Sequence, residues 1–583
     1  MKNKRRFSSW LILGFCLVLS SNFISGCIDT TYKPQSFEQA DQLLQKKVLP
    51  SIEVKTVRLP ESVTTTYIPK QVSESLPKVE SFPLYAAQPS NDPNQVYLEI
   101  FSSAEKANAE KPDERWLVDV AEAFNRQQLF TSSGQLIQVG IRNIPSGMAQ
   151  RLIASKTTQP QGFSPSHELW LEMLKPENIN PTLIEPNLLP SNAGFVVHNS
   201  FKQEISPNQD LTFDRVLEAI LSGKVNIGYT NPYTSSTGLN LLYTLFWRGA
   251  GHHQYGKPLT VTDLQSPQVK SVFNQFQKQV LVTALITPDL KEIFVRDPQK
   301  LPVFAIDYLS YATLKQLPDF AQTTYVPFGV PQSSPLAGFE WNTPIEQEAL
   351  KIFAEFATSE AMQKLAPTHS IEVAEYLQRQ DLPPVPNGEI LQQVQSYWKR
   401  EKDAGRTVYL MSVIDTSGSM DGEPLRAVQA GLKLAAQEIN PDNYVGLVTY
   451  ENQPKIHVPL APFDFSQHQK LLAAIDHLQA DGNTAMYDGV MVALSELMKQ
   501  KKADPNGLFY LLLLTDGQTN SGFEFDQIKE IINQSGVRVY PIAYGEVNEI
   551  ELNAIAQLRE STVKVGTVEN VQSLLKGLFQ TNL

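Results

Sequence analysis

VIDTSGSM, Val413 to Met420, closes an apolar, strand-like run that begins at Thr407 (TVYLMSVI). It sets Asp415, Ser417 and Ser419 two residues apart, with Gly418 between the serines. A carboxylate and two hydroxyls at this spacing have two readings. They can end a strand and cap the helix that follows. They can also form the first half of an oxygen-ligand site for a hard cation. The surrounding sequence has to decide.

Downstream, EPLRAVQAGLKLAAQEI predicts a helix with Leu425, Val428, Leu432, Ala435 and Ile439 on one face. YVGLVTY reads as a second strand, and FSQHQKLLAAIDHL and DGVMVALSELMKQ as helices. GLFYLLLLTDG is a continuous apolar run, the pattern of a parallel strand buried on both faces. FDQIKEIINQSG, VRVYPIAYG and a last helical region continue the alternation to the end of the chain. Strands alternating with helices from about 404 to 583 imply a doubly wound α/β sheet. Its ligands are expected beyond the carboxyl ends of the strands. Two more polar clusters fall there: DGNTAMYDG, containing Thr484, and TDGQTNSG, in which Asp516 follows the most apolar strand.

In this order, Asp415, Ser417, Ser419, Thr484 and Asp516 match the metal-ion-dependent adhesion site (MIDAS) motif. The last third of the chain accordingly resembles the von Willebrand factor A-type (VWA) domain, with its Rossmann-like fold. The resemblance implies a bound Mg²⁺ (or Mn²⁺ or Ca²⁺). It casts Ser417, Ser419 and Thr484 as direct ligands, with Asp415 and Asp516 acting partly through water. It further implies a protein partner whose acidic side chain fills the open coordination position. The residue types agree, because oxygen ligands without His or Cys suit a hard cation rather than zinc.

The middle of the chain is also α/β. QVYLEIFSSAEK and LIQVGIRNIPSGMAQRLIAS each read as strand, serine-bearing turn and helix. With FSPSHELW, TNPYTSSTGL and the late helix TPIEQEALKIFAEFATSEAMQKL, they resemble the two-lobed, periplasmic-binding-protein-like solute receptors of ABC transporters. By position, the resemblance makes Ser102, Ser103, Ser146, Ser235, Ser236 and Asp307 candidate ligand residues for a small polar or anionic solute. Serine-capped helix starts would present free N–H groups to it.

At the amino terminus, MKNKRR precedes WLILGFCLVL, a secretory signal too short for a comfortable transmembrane helix. ISGC, Ile24 to Cys27, resembles the lipobox of bacterial lipoproteins. That implies cleavage before Cys27, lipidation of its thiol, and anchoring at the cell membrane or outer membrane, facing the periplasm or exterior. The other reading is an ordinary signal cut elsewhere. Prolines scattered through residues 28–92 predict a tether with one short helix near Phe37–Lys47. The expected plan is a signal peptide over 1–26, a Pro-rich tether over 27–92 and a solute-binding-like domain over 93–381. A linker and helix over 382–403 and a VWA domain over 404–583 complete it.

A net charge of −12 and a pI near 5.3 leave no basic surplus for nucleic acid. No P-loop, HExxH or GxSxG occurs, and the adjacent His252-His253 reads as a solvated turn, so no enzymatic activity is expected. The expected function is that of a membrane-anchored lipoprotein engaging a protein partner through its metal, with the middle domain for recognition or sensing. The alternative is the substrate-binding component of an ABC transporter.

Overall fold

The computed structural model describes residues 31–60, 76–366, 375–377, 379, 381–545, 547 and 549–583. Cys27 and the signal segment lie outside the described residues. Three mixed α/β sheets organise the chain.

The carboxyl-terminal sheet has seven strands, in the order Lys55–Thr56, Pro454–Pro462, Tyr444–Tyr450, Val408–Asp415, Leu508–Thr515, Arg538–Tyr544 and Lys564–Gly566. Only the Tyr444–Tyr450/Pro454–Pro462 pairing is antiparallel. The two central strands are buried along nearly their whole length, as their unbroken apolar sequence requires. Helices cover both faces, so Asp415 and Asp516 meet at the carboxyl ends of neighbouring strands.

The middle of the chain forms two sheets. The first comprises six strands drawn from residues 84–185 and Leu336–Gly338; the second comprises five strands within residues 191–332. The chain crosses between them at 186–190 and again at 333–335. Two α/β lobes joined by two crossings is the geometry in which a cleft opens and closes. The helix Gly388–Glu401, expected as a linker, is packed against both lobes. Trp398 Nε1 donates to Tyr229 Oη at 2.7 Å, and a Cβ at Gly388 would meet the Glu172 carbonyl at 2.2 Å.

Residues 31–60 depart from the tether expectation. Phe37–Leu43 is a helix that continues into a wider turn over Leu44–Val48, and Ala40, Leu44, Val48 and Ile52 are buried in the core of the carboxyl-terminal domain. Gln45 Nε2 donates to Ser495 Oγ at 2.9 Å, Lys502 pairs with Asp41, and Lys55–Thr56 extends the sheet at its edge. Proline density suppresses helix and central strand, but it does not prevent a short helix and a two-residue edge strand from docking.

The second lobe is locked to the carboxyl-terminal domain. Arg296 donates to the carbonyls of Arg559 (2.9 Å) and Ser561 (3.1 Å), and Asp289 accepts from Lys564 and from Thr562 Oγ1 (3.1 Å). Asn231 Nδ2 donates to Thr581 Oγ1 at 3.0 Å, on the last helix, Val571–Asn582. Glu560 pairs with Arg538 (3.1 Å) and Lys300. Burial opposes its charge, yet these two cations hold the Glu560 carboxyl at about 2, below its ordinary 4.5. A depressed carboxyl contributes stability that is full above pH 4.5 and fades as pH falls toward 2. Scattering measured down this range should show the domains separating as Glu560 protonates, and Glu560→Gln should lack that step. Identical pH profiles for native and variant chains would contradict the assignment.

Candidate metal centre

Asp415 is wholly buried and accepts three hydrogen bonds. Its Oδ1 accepts from Ser417 N–H at 2.9 Å, and its Oδ2 from Tyr450 Oη and Thr515 Oγ1, both at 3.1 Å. Tyr450 lies on the neighbouring strand and Thr515 precedes Asp516, so the carboxylate is fixed from both flanking strands.

Ser417 Oγ lies 3.1 Å from Ser419 Oγ, which donates to Asp516 Oδ1 at 2.9 Å. Burial, and then the neighbouring Asp415 carboxylate, push the Asp516 carboxyl above its usual range. Thr484 is placed by its backbone. Its N–H donates to Asn520 Oδ1 (2.9 Å), and its carbonyl accepts from Asn520 N–H (3.0 Å) and Thr519 Oγ1 (2.9 Å). The loop before it is tied to the serine loop, with Gly418 N–H on the Gly482 carbonyl at 3.1 Å and Asp481 N–H on the Thr416 carbonyl at 2.9 Å. Gly482 has φ +77°, and a Cβ there would meet Asn452 Nδ2 at 2.4 Å, so this close approach needs glycine.

All five expected positions therefore come to one end of the sheet. The residues that hold them, Tyr450, Thr515 and Asn520, were not among the expected set. Two stand at strand ends and one in a loop, and they act through hydrogen bonds that leave no spacing signature. Among the described residues no group of three or more His, Cys, Asp or Glu side chains converges, so hydroxyls dominate this cluster.

The cluster fits a small divalent cation. With Mg²⁺–O bonds of about 2.0–2.1 Å, adjacent oxygens of an octahedron lie about 2.9 Å apart. The Ser417–Ser419 and Ser419–Asp516 oxygen separations of 3.1 and 2.9 Å, which are hydrogen bonds here, are close to that length.

The six candidate solute residues separate into different environments. Ser102 ends its strand in register with Ser164, and both hydroxyls are buried without a partner among the described residues. Ser103 Oγ accepts from Lys106 Nζ at 2.9 Å, and the same ammonium donates to the Ser164 carbonyl at 2.9 Å. Asp307, in the second lobe, caps a helix by accepting from Ser310 N–H at 2.8 Å. It also acts electrostatically on Glu105 and Lys106 of the first lobe. Burial raises the carboxyls of Glu105 and Asp307 and lowers the Lys106 ammonium.

Ser146 and Ser236 join Ser166 and Trp170 in an internal network. Ser166 Oγ is 2.6 Å from Ser236 Oγ and 3.3 Å from Ser146 Oγ, and Trp170 Nε1 donates to Ser236 Oγ at 2.7 Å. Ser235 caps its helix and accepts from Thr230 Oγ1 at 2.6 Å. Ser102, Ser103 and Asp307 thus belong to a buried charged cluster with Lys106 and Glu105, whereas Ser146, Ser235 and Ser236 are bonded to neighbouring protein groups.

Residues 410–580 match the family model of the von Willebrand factor type A domain. The carboxyl-terminal third is thus a VWA domain. An uncharacterized protein of Synechocystis sp., sll0103, is 26% identical over 177 residues, which are 29% of this chain and 40% of that protein. Escherichia coli YfbK is 30% identical over 170 residues, 28% of either chain. The chain therefore spans less than half the length of these relatives. Among solved structures, iron-bound HitA from Pseudomonas aeruginosa aligns with 53% of this chain and 99% of its own at 15% identity and a TM-score of 0.37.

Proposed function

We propose that this protein is a lipid-anchored extracytoplasmic receptor that binds one divalent cation at the VWA domain and uses it to engage an acidic group on a protein partner. The supporting observation is the convergence of Ser417, Ser419 and Asp516 oxygens at octahedral-edge spacing beside the buried Asp415. Ser417, Ser419 and Thr484 would hold the ion, with Asp415 and Asp516 supplying charge. When bound, Mg²⁺ or Mn²⁺ acts as a Lewis acid toward a carboxylate. The chain's own residues then orient and hold: Tyr450 and Thr515 fix Asp415, and Asn520 fixes the Thr484 backbone. Cys27 is the proposed lipidation site, and fatty-acid labelling lost in Cys27→Ser would support it.

The buried charged cluster of Ser102, Ser164, Lys106 and Asp307, with two hydroxyls that have no partner among the described residues, supports the second reading, capture of a small polar solute between the two lobes. Nothing in either reading calls for a catalytic group or for nucleic acid.

Manganese titrated calorimetrically into the chain should bind at about one ion per molecule. The loaded protein should then be retained on an immobilised glutamate-bearing peptide and released by chelator. Binding of Mn²⁺ without retention would remove the partner step and leave the metal site. Absence of Mn²⁺ binding would remove both.

A further inference from the structure

A second polar site lies at the opposite end of the VWA sheet. Strands Leu508–Thr515 and Arg538–Tyr544 begin at a crevice of about 370 Å³ shared with the second lobe. Their other ends carry the metal cluster. Six cationic side chains line the crevice: Lys278, Lys402, Arg406, Lys501, Arg538 and Arg559. Only two carboxylates, Asp403 and Glu560, answer them. In a chain of net charge −12 this is a marked local reversal of sign.

Part of this charge has structural work. Lys501 donates to the Ser535 carbonyl at 3.0 Å and Arg559 to the Asn533 carbonyl, so both complement the end of helix Phe525–Ser535. Arg538 donates to the Leu281 carbonyl at 2.9 Å and to Glu560, while Lys402 pairs with Asp403 at 3.0 Å. Arg406 donates to the carbonyls of Asp403 (3.0 Å) and Gln277 (3.5 Å). These contacts do not exhaust the donors. The Nε–H groups of Arg538 and Arg559 are both buried and have no acceptor among the described residues. A buried donor left unsatisfied is destabilising, the more so when charged. Like charges also crowd there: burial, and then Arg559, lower the Lys501 ammonium.

We infer that the crevice between the second lobe and the VWA domain binds a small phosphoryl-bearing anion. Guanidinium groups offer planar, directional N–H donors matched to phosphoryl oxygens, and a cleft lined by one sign of charge concentrates the opposite ion. The volume accommodates more than one phosphoryl group, since a water molecule occupies about 30 Å³ of liquid. Because its walls come from Lys278 and Gln277 on one side and Tyr510, Arg538 and Arg559 on the other, a bound anion bridges the lobe to the VWA domain. The site is independent of the metal cluster and of the proposed partner.

Inorganic pyrophosphate, titrated calorimetrically into the full chain in metal-free buffer, tests this. The expected result is saturable binding near one per molecule that survives an equal ionic strength of chloride. The Lys278→Ala/Arg406→Ala double variant, which leaves the Arg538–Glu560 pair in place, should weaken it at least tenfold. Asp415→Asn should bind pyrophosphate as the native chain does. Native-like affinity in the double variant, abolition of binding by chloride alone, or no saturable heat would each overturn the assignment. Loss of binding in Asp415→Asn would also overturn it, by moving the anion to the metal pole.

Discussion

Magnesium is expected to raise the unfolding temperature of the native VWA domain and to shift that of Asp415→Asn by no more than about 1–2 °C. A ligand at a hundred times its dissociation constant stabilises the folded state by about 2.7 kcal/mol. For a domain of this size each kcal/mol shifts the transition by about 2–4 °C, so the native shift should be roughly 5–11 °C. The asparagine keeps an acceptor for Ser417 N–H and can still meet Tyr450 and Thr515, whose hydroxyls donate or accept. It removes one of the two carboxylates that would offset the ion's charge. Metal affinity should fall on the order of a hundredfold, the upper end of what altering a supporting group costs. Thermal melts with and without Mg²⁺ at about a hundred times the dissociation constant found by calorimetry read both effects. An equal Mg²⁺ shift in the variant would exclude Asp415 from the site.

Leu44→Ala is expected to destabilise the VWA domain strongly, although Leu44 lies more than 350 residues before that domain's first strand. The side chain is fully buried in a cluster with Met491, Leu494 and Ile531. Truncating a buried leucine costs about 2–5 kcal/mol through lost transfer energy and the cavity left behind. The VWA transition should therefore fall by roughly 5–15 °C. Glu38→Ala, on the exposed side of the same helix, should stay within about 0.5 kcal/mol. A Leu44→Ala melt superimposable on the native one would mean that residues 37–52 contribute nothing to the domain.

The central strands of the VWA sheet were readable because burial on both faces forces an unbroken apolar run. VYLMSVI and LFYLLLL could hardly be anything else. Edge strands carry no such constraint. Pro454–Pro462, second from the edge, has prolines at 454, 459 and 462, which obscure alternation; its outer neighbour Lys55–Thr56 pairs only with Lys455 and Ile456, so the outer side beyond them needs no donors. Lys55–Thr56 is too short for any period. The helix near Phe37 was readable from its spacing, but its partner was not, since an apolar stripe does not say what covers it.

The metal cluster was legible for a different reason. Its chemistry sits in side chains whose type and order along the chain are themselves the pattern. The buried charged cluster was only half legible: Ser102, Ser103 and Asp307 stand at or next to strand ends, where position suggested them. Lys106 and Ser164 gained meaning only when two strands were set side by side. Ser235 shows the converse, a helix cap that sequence alone does not separate from a ligand group.

The packing of Gln45 against Ser495 joins residues 450 positions apart and sets an order of events during biosynthesis. At about 5–20 residues per second, a ribosome needs roughly 20–90 s to travel that distance. Through this interval Leu44 and Val48 exist without the surface that buries them, while the two-lobed middle of the chain already has all of its own strands. The first described segment to leave the ribosome is therefore among the last to reach its native place.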